Sequence, residues 1–497
     1  MSAPSRYLVA VVLALLLTAV GAGAFLLYQD ETTSATAPTS SASSSTSDCV
    51  VLTSVDRVDL SRSSFGSVTT FTLPSPLRSP NSIVAAPDGS VWFGEVAVPG
   101  LAHLFLNGTL VEYPWPFPNS TPASLCFDRS EIWGVVLWDG LVWASDPAND
   151  QLVGMNQTTG ALTVAPLAAG VIPRFLAVGP DDSLWFTETS TPAQVGLLQN
   201  GTTGPARYFS VPAAGGAYTA SILFQSATLA YVTTVNPTDN HGQLFSFDPS
   251  SASPTFEQLG GNQTLLGPYG VAYSQGGVWL GEHEASHLAF LNLTSDRWSF
   301  YPTSTDPKLP LTLPYYLAAN GSSLWFNEHD ANRIADLTDG TTLSEYAISP
   351  VPIDEIGISN ALTIALDGDL TWFTAWTANQ VGFVNASIAS SFSVSSPSNA
   401  TAATVAPGSS TTVRLAVSGS SSRPLNVTFS DSETISSLPE RISFSPSVSA
   451  LPSLQGTVDV RVTVSVSSAA SPGRYLLLMT VTDGLTWRSV YVPLVVS

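Results

Sequence analysis

The chain has 497 residues and a formal net charge of −21, yet only 11% of its residues are charged and Lys308 is its single lysine. That balance excludes nucleic-acid binding, because no basic patch is present to neutralise phosphates. The carboxylates are too sparse for a halophile, so the surface reads as charge-poor and hydroxyl-rich, suited to an exposed protein in harsh surroundings.

Residues 7–28 form an apolar run of 22 residues, long enough to cross a hydrocarbon core of about 30 Å. Arg6 precedes the run and Asp30 and Glu31 follow it, an asymmetry that leaves the bulk of the chain outside the membrane. The expectation is an N-terminal transmembrane helix within residues 1–28, with cleavage near Ala24 and secretion as the alternative. Residues 29–64, rich in Ser and Thr, read as a flexible tether. Cys49 and Cys126 are the only cysteines, and outside the cell they either form one bridge or stay as free thiols. Ten Asn-x-Ser/Thr sequons, Asn107, Asn156, Asn292 and Asn385 among them, favour an extracytoplasmic, glycosylated chain, although a Ser/Thr-rich sequence also makes sequons by chance.

From Pro80 to Ser393 one phrase recurs seven times at a spacing of about 40 to 50 residues. Its clearest copies are PDGSVWFGE (87–95), PDDSLWFTE (180–188), GSSLWFNE (321–328) and GDLTWFTA (368–375). The aromatic register is Trp92, Trp143, Trp185, Tyr231, Trp279, Trp325 and Trp372. Around each copy lie an apolar run, a Gly or Asp turn, the aromatic strand, and two further alternating runs, with no helical period between them. Such a unit predicts a four-stranded antiparallel blade that must stack on its neighbours to bury both faces, and the repeated indole predicts packing between blades. The expected fold is therefore all-β: a seven-bladed β-propeller over residues 65–396. Either VTTFTLP (68–74) or SSFSV (390–394) supplies the last fourth strand, since only one can hold the place. Residues 397–497 turn to Ser, Thr and Val in alternating runs and predict an immunoglobulin-like β-sandwich, with a spacer, stalk or packing role.

Antiparallel geometry puts the start of each first strand and the end of each second strand at one face, the default ligand mouth. The acids that end the phrase, Glu95, Asp146, Glu188, Glu282 and Glu328, belong there. Two adjacent units add a histidine, as Glu282-His283-Glu284 and Glu328-His329-Asp330, and three of the five histidines (His283, His287, His329) lie in these loops. Imidazole and carboxylates there suit a divalent cation, with Glu282 and Glu328 as ligands, or a proton-transfer pair of His283 and His329. The competing reading is structural: a glutamate repeated in four units caps backbone amides, and neighbours on a strand point to opposite faces. Tyr269, Tyr315, Tyr316 and Glu188 are the candidate ligand contacts, the tyrosines as flat surfaces for sugar or peptide stacking.

The pattern Pro-x-x-Ile-Ala … Asp-Gly-x-Leu-Trp-Phe-Thr-Glu … Ile-Gly resembles the repeat of the streptogramin (virginiamycin B) lyases, most closely at 173–196 and 314–334. That resemblance implies a seven-bladed propeller and, for an active member, magnesium-dependent opening of a cyclic depsipeptide by elimination. The family's essential histidines lie in Pro-His segments that open two blades. Here the openings read Pro80-Asn81, Pro122-Ala123, Pro173-Arg174, Pro268-Tyr269 and Pro314-Tyr315, none with histidine. Gly267 and Leu313 stand where a glutamate ligand would precede the proline. The resemblance thus implies the fold and leaves the reaction unsupported. Three functions follow in order: a membrane-anchored propeller that binds a small molecule, glycan or cell-surface partner, a divergent metal-dependent lyase or hydrolase, and a structural surface protein.

Overall fold

The computed structural model describes residues 52, 54–75, 78–117, 132–199, 205–305, 311–350, 361–396, 402–431 and 442–497. The apolar run 7–28, most of the tether, both cysteines and the Pro122-Ala123 opening lie outside them.

Among the described residues the repeats build seven antiparallel units of four strands each, and the fold is all-β and propeller-like. Unit 1 spans residues 80–114, unit 2 135–166, unit 3 173–210, unit 4 218–258, unit 5 268–302 and unit 6 314–347. Unit 7 takes three strands from 361–385, and its fourth is Val68–Thr72, which pairs antiparallel with Gln380–Asn385. The other candidate, Phe392–Ser395, pairs instead with Ser410–Ser421 in the C-terminal region. The N-terminal strand therefore closes the last unit, and the strand expected inside 65–396 belongs to the next layer.

The repeated aromatics explain why the units hold together. Trp92 packs against Val135 and Val142 of unit 2, Trp143 against Leu184 and Phe186 of unit 3, and Trp185 against Val232 and Phe245 of unit 4. Tyr231 packs on unit 5, Trp279 on unit 6 and Trp325 on unit 7. Trp372 completes the cycle by packing on Val91 and Phe93 of unit 1. Each large ring fills the wedge between twisted sheets, so apolar burial drives the stacking. The phenylalanine beside the indole needs room of its own. Phe186 and Phe373 lie over Gly196 and Gly382 of the third strand, where an added Cβ would collide with the ring.

The variable letter of Trp-Phe-x-Glu carries a second job. The opening strands of units 1, 3, 4, 5, 6 and 7 break register near their start, a bulge that leaves a backbone N–H unpaired. Thr187 Oγ1 accepts from the Phe175 N–H at 3.2 Å, Asn327 Oδ1 from Tyr316 at 2.8 Å, and Thr374 Oγ1 from Thr363 at 3.2 Å. The same side chains reach the next unit, since Thr187 donates to the Ala220 carbonyl and Asn327 to that of Ala361. Thr187→Val keeps the shape and removes both bonds, so it is expected to cost about 1–3 kcal/mol, read as a lowered thermal midpoint.

One boundary differs from expectation. Asp56–Asp59 and Arg62–Phe65, inside the expected tether 29–64, are strands that extend the outer edges of unit 1 and unit 7. Of the spacer, stalk and packing roles expected for the C-terminal region, its contacts with unit 6 match packing. Its strands form two sheets around one apolar core, and Thr486–Val496 pairs antiparallel with Thr342–Ala347, the outer strand of unit 6. Tyr491 Oη donates to the Pro302 carbonyl at 2.7 Å and Ser430 Oγ to that of Ser304 at 2.6 Å, so the seam is polar as well as apolar. Sequence alternation identifies both strands but contains no signal for an edge pairing about 145 residues apart, which only the tertiary fold creates.

Candidate functional site at the channel mouth

Past the bulges, the opening strands of several units bring their side chains into one largely buried cluster. Just after Pro173, Pro268 and Pro314, the opening strands present Arg174, Tyr269 and Tyr315, and unit 4 contributes Tyr218. Tyr218 Oη and Tyr269 Oη share a hydrogen bond of 2.8 Å, and Arg174 Nη2 donates to Tyr315 Oη at 2.8 Å. The guanidinium carbon lies 4.5 Å from the Trp133 ring centroid, 5.5 Å from Phe175 and 5.7 Å from Tyr269. Tyr269 and Tyr315 are buried, with ring centroids 5.2 Å apart, rather than exposed stacking platforms. Tyr316 is half-buried against Phe175 at 6.1 Å. Burial raises the proton affinity of all three phenols, which therefore stay neutral.

The two histidines join this cluster by a shared backbone device. The residue after the acid donates its N–H to the carbonyl that precedes the opening proline: His283 to Gly267 at 3.0 Å and His329 to Leu313 at 3.1 Å. Gly267 and Leu313 both adopt left-handed backbone, with φ of 59° and 54°, a conformation that suits glycine and strains leucine. Each histidine is thereby folded over the opening of its own unit. The two imidazoles lie 5.4 Å apart, and both contact Tyr315, at 5.5 Å and 5.8 Å. His283 Nδ1 bonds Glu284 Oε1 at 2.9 Å, whereas His283 Nε2 and His329 Nδ1 are buried without a hydrogen-bond partner. Burial, and then the neighbouring His283, pushes His329 down to about 3, so it is a neutral imidazole at physiological pH. Burial raises Asp330, beside them, to about 6.

The acids of the phrase turn the other way. Glu282 Oε1 accepts from the Leu266 N–H at 2.9 Å, the capping role that its repetition suggests, and burial raises it to about 7. Glu328 sits with Arg333 and Glu345 inside unit 6 and is raised well above the carboxylate range, by burial and by the Glu345 charge. Glu188, beside Ser190 and Gln194, is fully buried and raised to about 7 by burial. Asp146 accepts from Trp115 Nε1, Asn149 Nδ2 and Gln151 Nε2 at 2.8 to 3.1 Å. Among the described residues, no three His, Cys, Asp or Glu side chains are grouped to hold a metal ion. The residues present therefore do not fit the magnesium centre that the lyase resemblance implies. Tyrosines occupy the opening positions of units 5 and 6, and Glu328 is fully buried beside Arg333 and Glu345 rather than turned to those openings.

Sequence reasoning brought His283, His329, Tyr269, Tyr315 and Tyr316 to one place, and the structure gathers them. It missed Arg174, Tyr218, Trp133 and Phe175. The signal was present, since Arg174 holds the same post-proline position as Tyr269 and Tyr315.

No family model matches the sequence, nor does any curated protein. Solved structures do. A selenomethionine-substituted virginiamycin B lyase from Staphylococcus aureus superposes with a TM-score of 0.52 at 21% identity, covering 64% of this chain and 98% of that one. A catalytically inactive histidine-to-alanine variant of that lyase, with quinupristin, gives a TM-score of 0.51 at 20% identity over the same shares. A streptogramin B lyase structure gives 0.52 at 20% identity, covering 64% and 96%. At such identities the likeness speaks for the fold: this chain is similar in architecture to the streptogramin B lyases.

Proposed function

We propose that the chain is a seven-bladed β-propeller carrying an immunoglobulin-like sandwich, anchored through residues 7–28 with its bulk outside the cell membrane. Its channel mouth binds a small molecule, glycan or cell-surface partner and does not perform the lyase reaction. Support for the architecture comes from the cyclic packing of the repeated aromatics and from the lyase structures of similar fold. Apolar length and flanking charge support the anchor. The observation that carries the binding reading is the mouth itself. Six neighbouring polar side chains (Arg174, Tyr218, Tyr269, Tyr315, His283 and His329) converge there, and three of their nitrogens lack protein partners.

The chemistry argues against elimination. Removing a proton alpha to a carbonyl needs a base whose proton affinity matches the working pH, and a cation for the resulting enolate. His329, held near 3, is too weak a base, and the acids that might hold a cation are locked inside their blades. Incubating the full chain in detergent with quinupristin is expected to leave the cyclic antibiotic intact. Chromatography must be the readout, because elimination conserves mass. A linearised isomer that disappears in a His283→Ala variant would instead favour the divergent lyase, whose acid and base would be the histidine pair.

A further inference from the structure

We propose that the ligand taken at the channel mouth bears a carboxylate, and that the Arg174 guanidinium receives it. The inference rests on the ligand-binding reading of the mouth and narrows it to one chemical class, a planar aromatic carboxylate.

The argument starts from charge. Two buried arginines, Arg78 and Arg333, are matched with acids, whereas buried Arg488 donates to the Trp487 carbonyl and to Tyr346 Oη. Arg78 Nε lies 2.6 Å from Glu112 and 4.0 Å from Glu95, and Arg333 Nη1 lies 2.7 Å from Glu345. Among the described residues Arg174, which is partly buried, forms no such ion pair. Among the described residues its polar surroundings are phenols alone, those of Tyr218, Tyr269 and Tyr315. Neutral phenols do not cancel a positive charge, and a cation removed from water without an anion is costly to keep. The protein maintains that cost at the point where its opening strands converge, and an anion from outside would offset it.

Geometry then selects the anion. Nη2 is engaged by Tyr315 Oη, while Nε is without a hydrogen-bond partner. A guanidinium is a planar fork that matches the two oxygens of a carboxylate, unlike the point charge of a lysine. Trp133 and Phe175 flank the guanidinium and offer apolar faces for a flat body behind the carboxylate. His283 Nε2, 96% buried by residue exposure of 4% and unpartnered, supplies one more polar atom near the same tyrosines.

Benzoate titrated into the full chain by calorimetry tests this directly, with benzamide as the neutral probe of the same shape and inorganic phosphate as a non-planar anion. Benzoate is expected to bind at least about tenfold more tightly than either, and Arg174→Gln to weaken it by about tenfold to a hundredfold, the ordinary effect of losing a charge-assisted hydrogen bond. Equal binding of benzoate and benzamide overturns the carboxylate but leaves the mouth as a ligand site. Equal binding of phosphate replaces it with a general anion site. Absence of benzoate binding, or full binding by Arg174→Gln, removes the proposal, and quinupristin binding then judges the mouth separately. The variant's melting temperature gives an independent check. It should equal or exceed that of the parent, because an unmatched cation has been removed, and a large drop would make Arg174 a structural residue.

Discussion

Replacing Arg333 by methionine is expected to cost the fold about 3–5 kcal/mol, measured by urea denaturation. Arg333 is buried where unit 6 meets the C-terminal sheets. Its Nη1 donates to Glu345 Oε1 at 2.7 Å and to Thr305 Oγ1 at 2.6 Å, and its guanidinium carbon lies 3.6 Å from the Trp487 ring centroid. Glu328 and Glu345 flank this cation, and burial together with the Glu345 charge raises Glu328 well above the carboxylate range. Methionine fills much of the volume but strands Glu345 in a low-dielectric seam. Removing one partner of a buried pair is far costlier than removing both. The double variant Arg333→Met, Glu345→Gln should therefore regain most of the loss. A single variant that costs less than about 1 kcal/mol, the worth of a surface pair, would show that water reaches the site.

The second large effect concerns pH. Burial raises Glu188 and Glu282 to about 7, Asp330 and Asp336 to about 6, and Glu95 and Glu328 well above the carboxylate range. Each binds its proton more tightly in the folded chain than in the unfolded one. Their contribution is complete below the unfolded values of 4.5 for Glu and 3.8 for Asp, and it is lost as pH rises through the folded values. His103 and His329 act oppositely. Burial lowers them to about 4 and about 3, so their contribution is lost as pH falls below 6.5. Six carboxyls outweigh two imidazoles between pH 5 and 8. Every tenfold change in proton affinity is worth about 1.4 kcal/mol, so the melting temperature at pH 5 should exceed that at pH 8 by several degrees. Glu282→Gln should flatten the profile, and a melting temperature that climbs steadily from pH 5 to 8 would contradict the assignment of these buried acids.

Much of the fold was legible because one residue type did one job in every unit. A tryptophan at constant spacing marks the aromatic strand, and the strand marks the unit. The mouth was half legible. Tyr269, Tyr315 and the two histidines stood out by position, whereas Arg174 is one ordinary arginine until the fold brings it into the same cluster. The carboxylates were the reverse case. Glu282 and Glu328 attract attention as a repeated acid beside a histidine, but strand alternation sends them into their own sheets while the histidines join the cluster. No local pattern shows the pairing of Thr342–Ala347 with Thr486–Val496, because each strand alternates like any other until both edges meet.

That pairing, with the two N-terminal strands, leaves the ring's perimeter unequal. Asp56–Asp59 covers the outer edge of unit 1, Arg62–Phe65 that of unit 7, and Thr486–Val496 that of unit 6. Three consecutive units are sheathed by the chain's own backbone, and units 2 to 5 end in their own fourth strands. Of these, the fourth strand of unit 4 pairs over only two residues, Glu257–Gln258, and that of unit 2 ends in Pro166, which has no N–H to offer. The fourth strand of unit 5 also ends in a proline, Pro302, whose carbonyl accepts from Tyr491, which leaves Arg207–Ser210 of unit 3 as the edge among the described residues with neither feature. The chain's own backbone thus covers one flank of the ring and leaves the other ending in its own fourth strands.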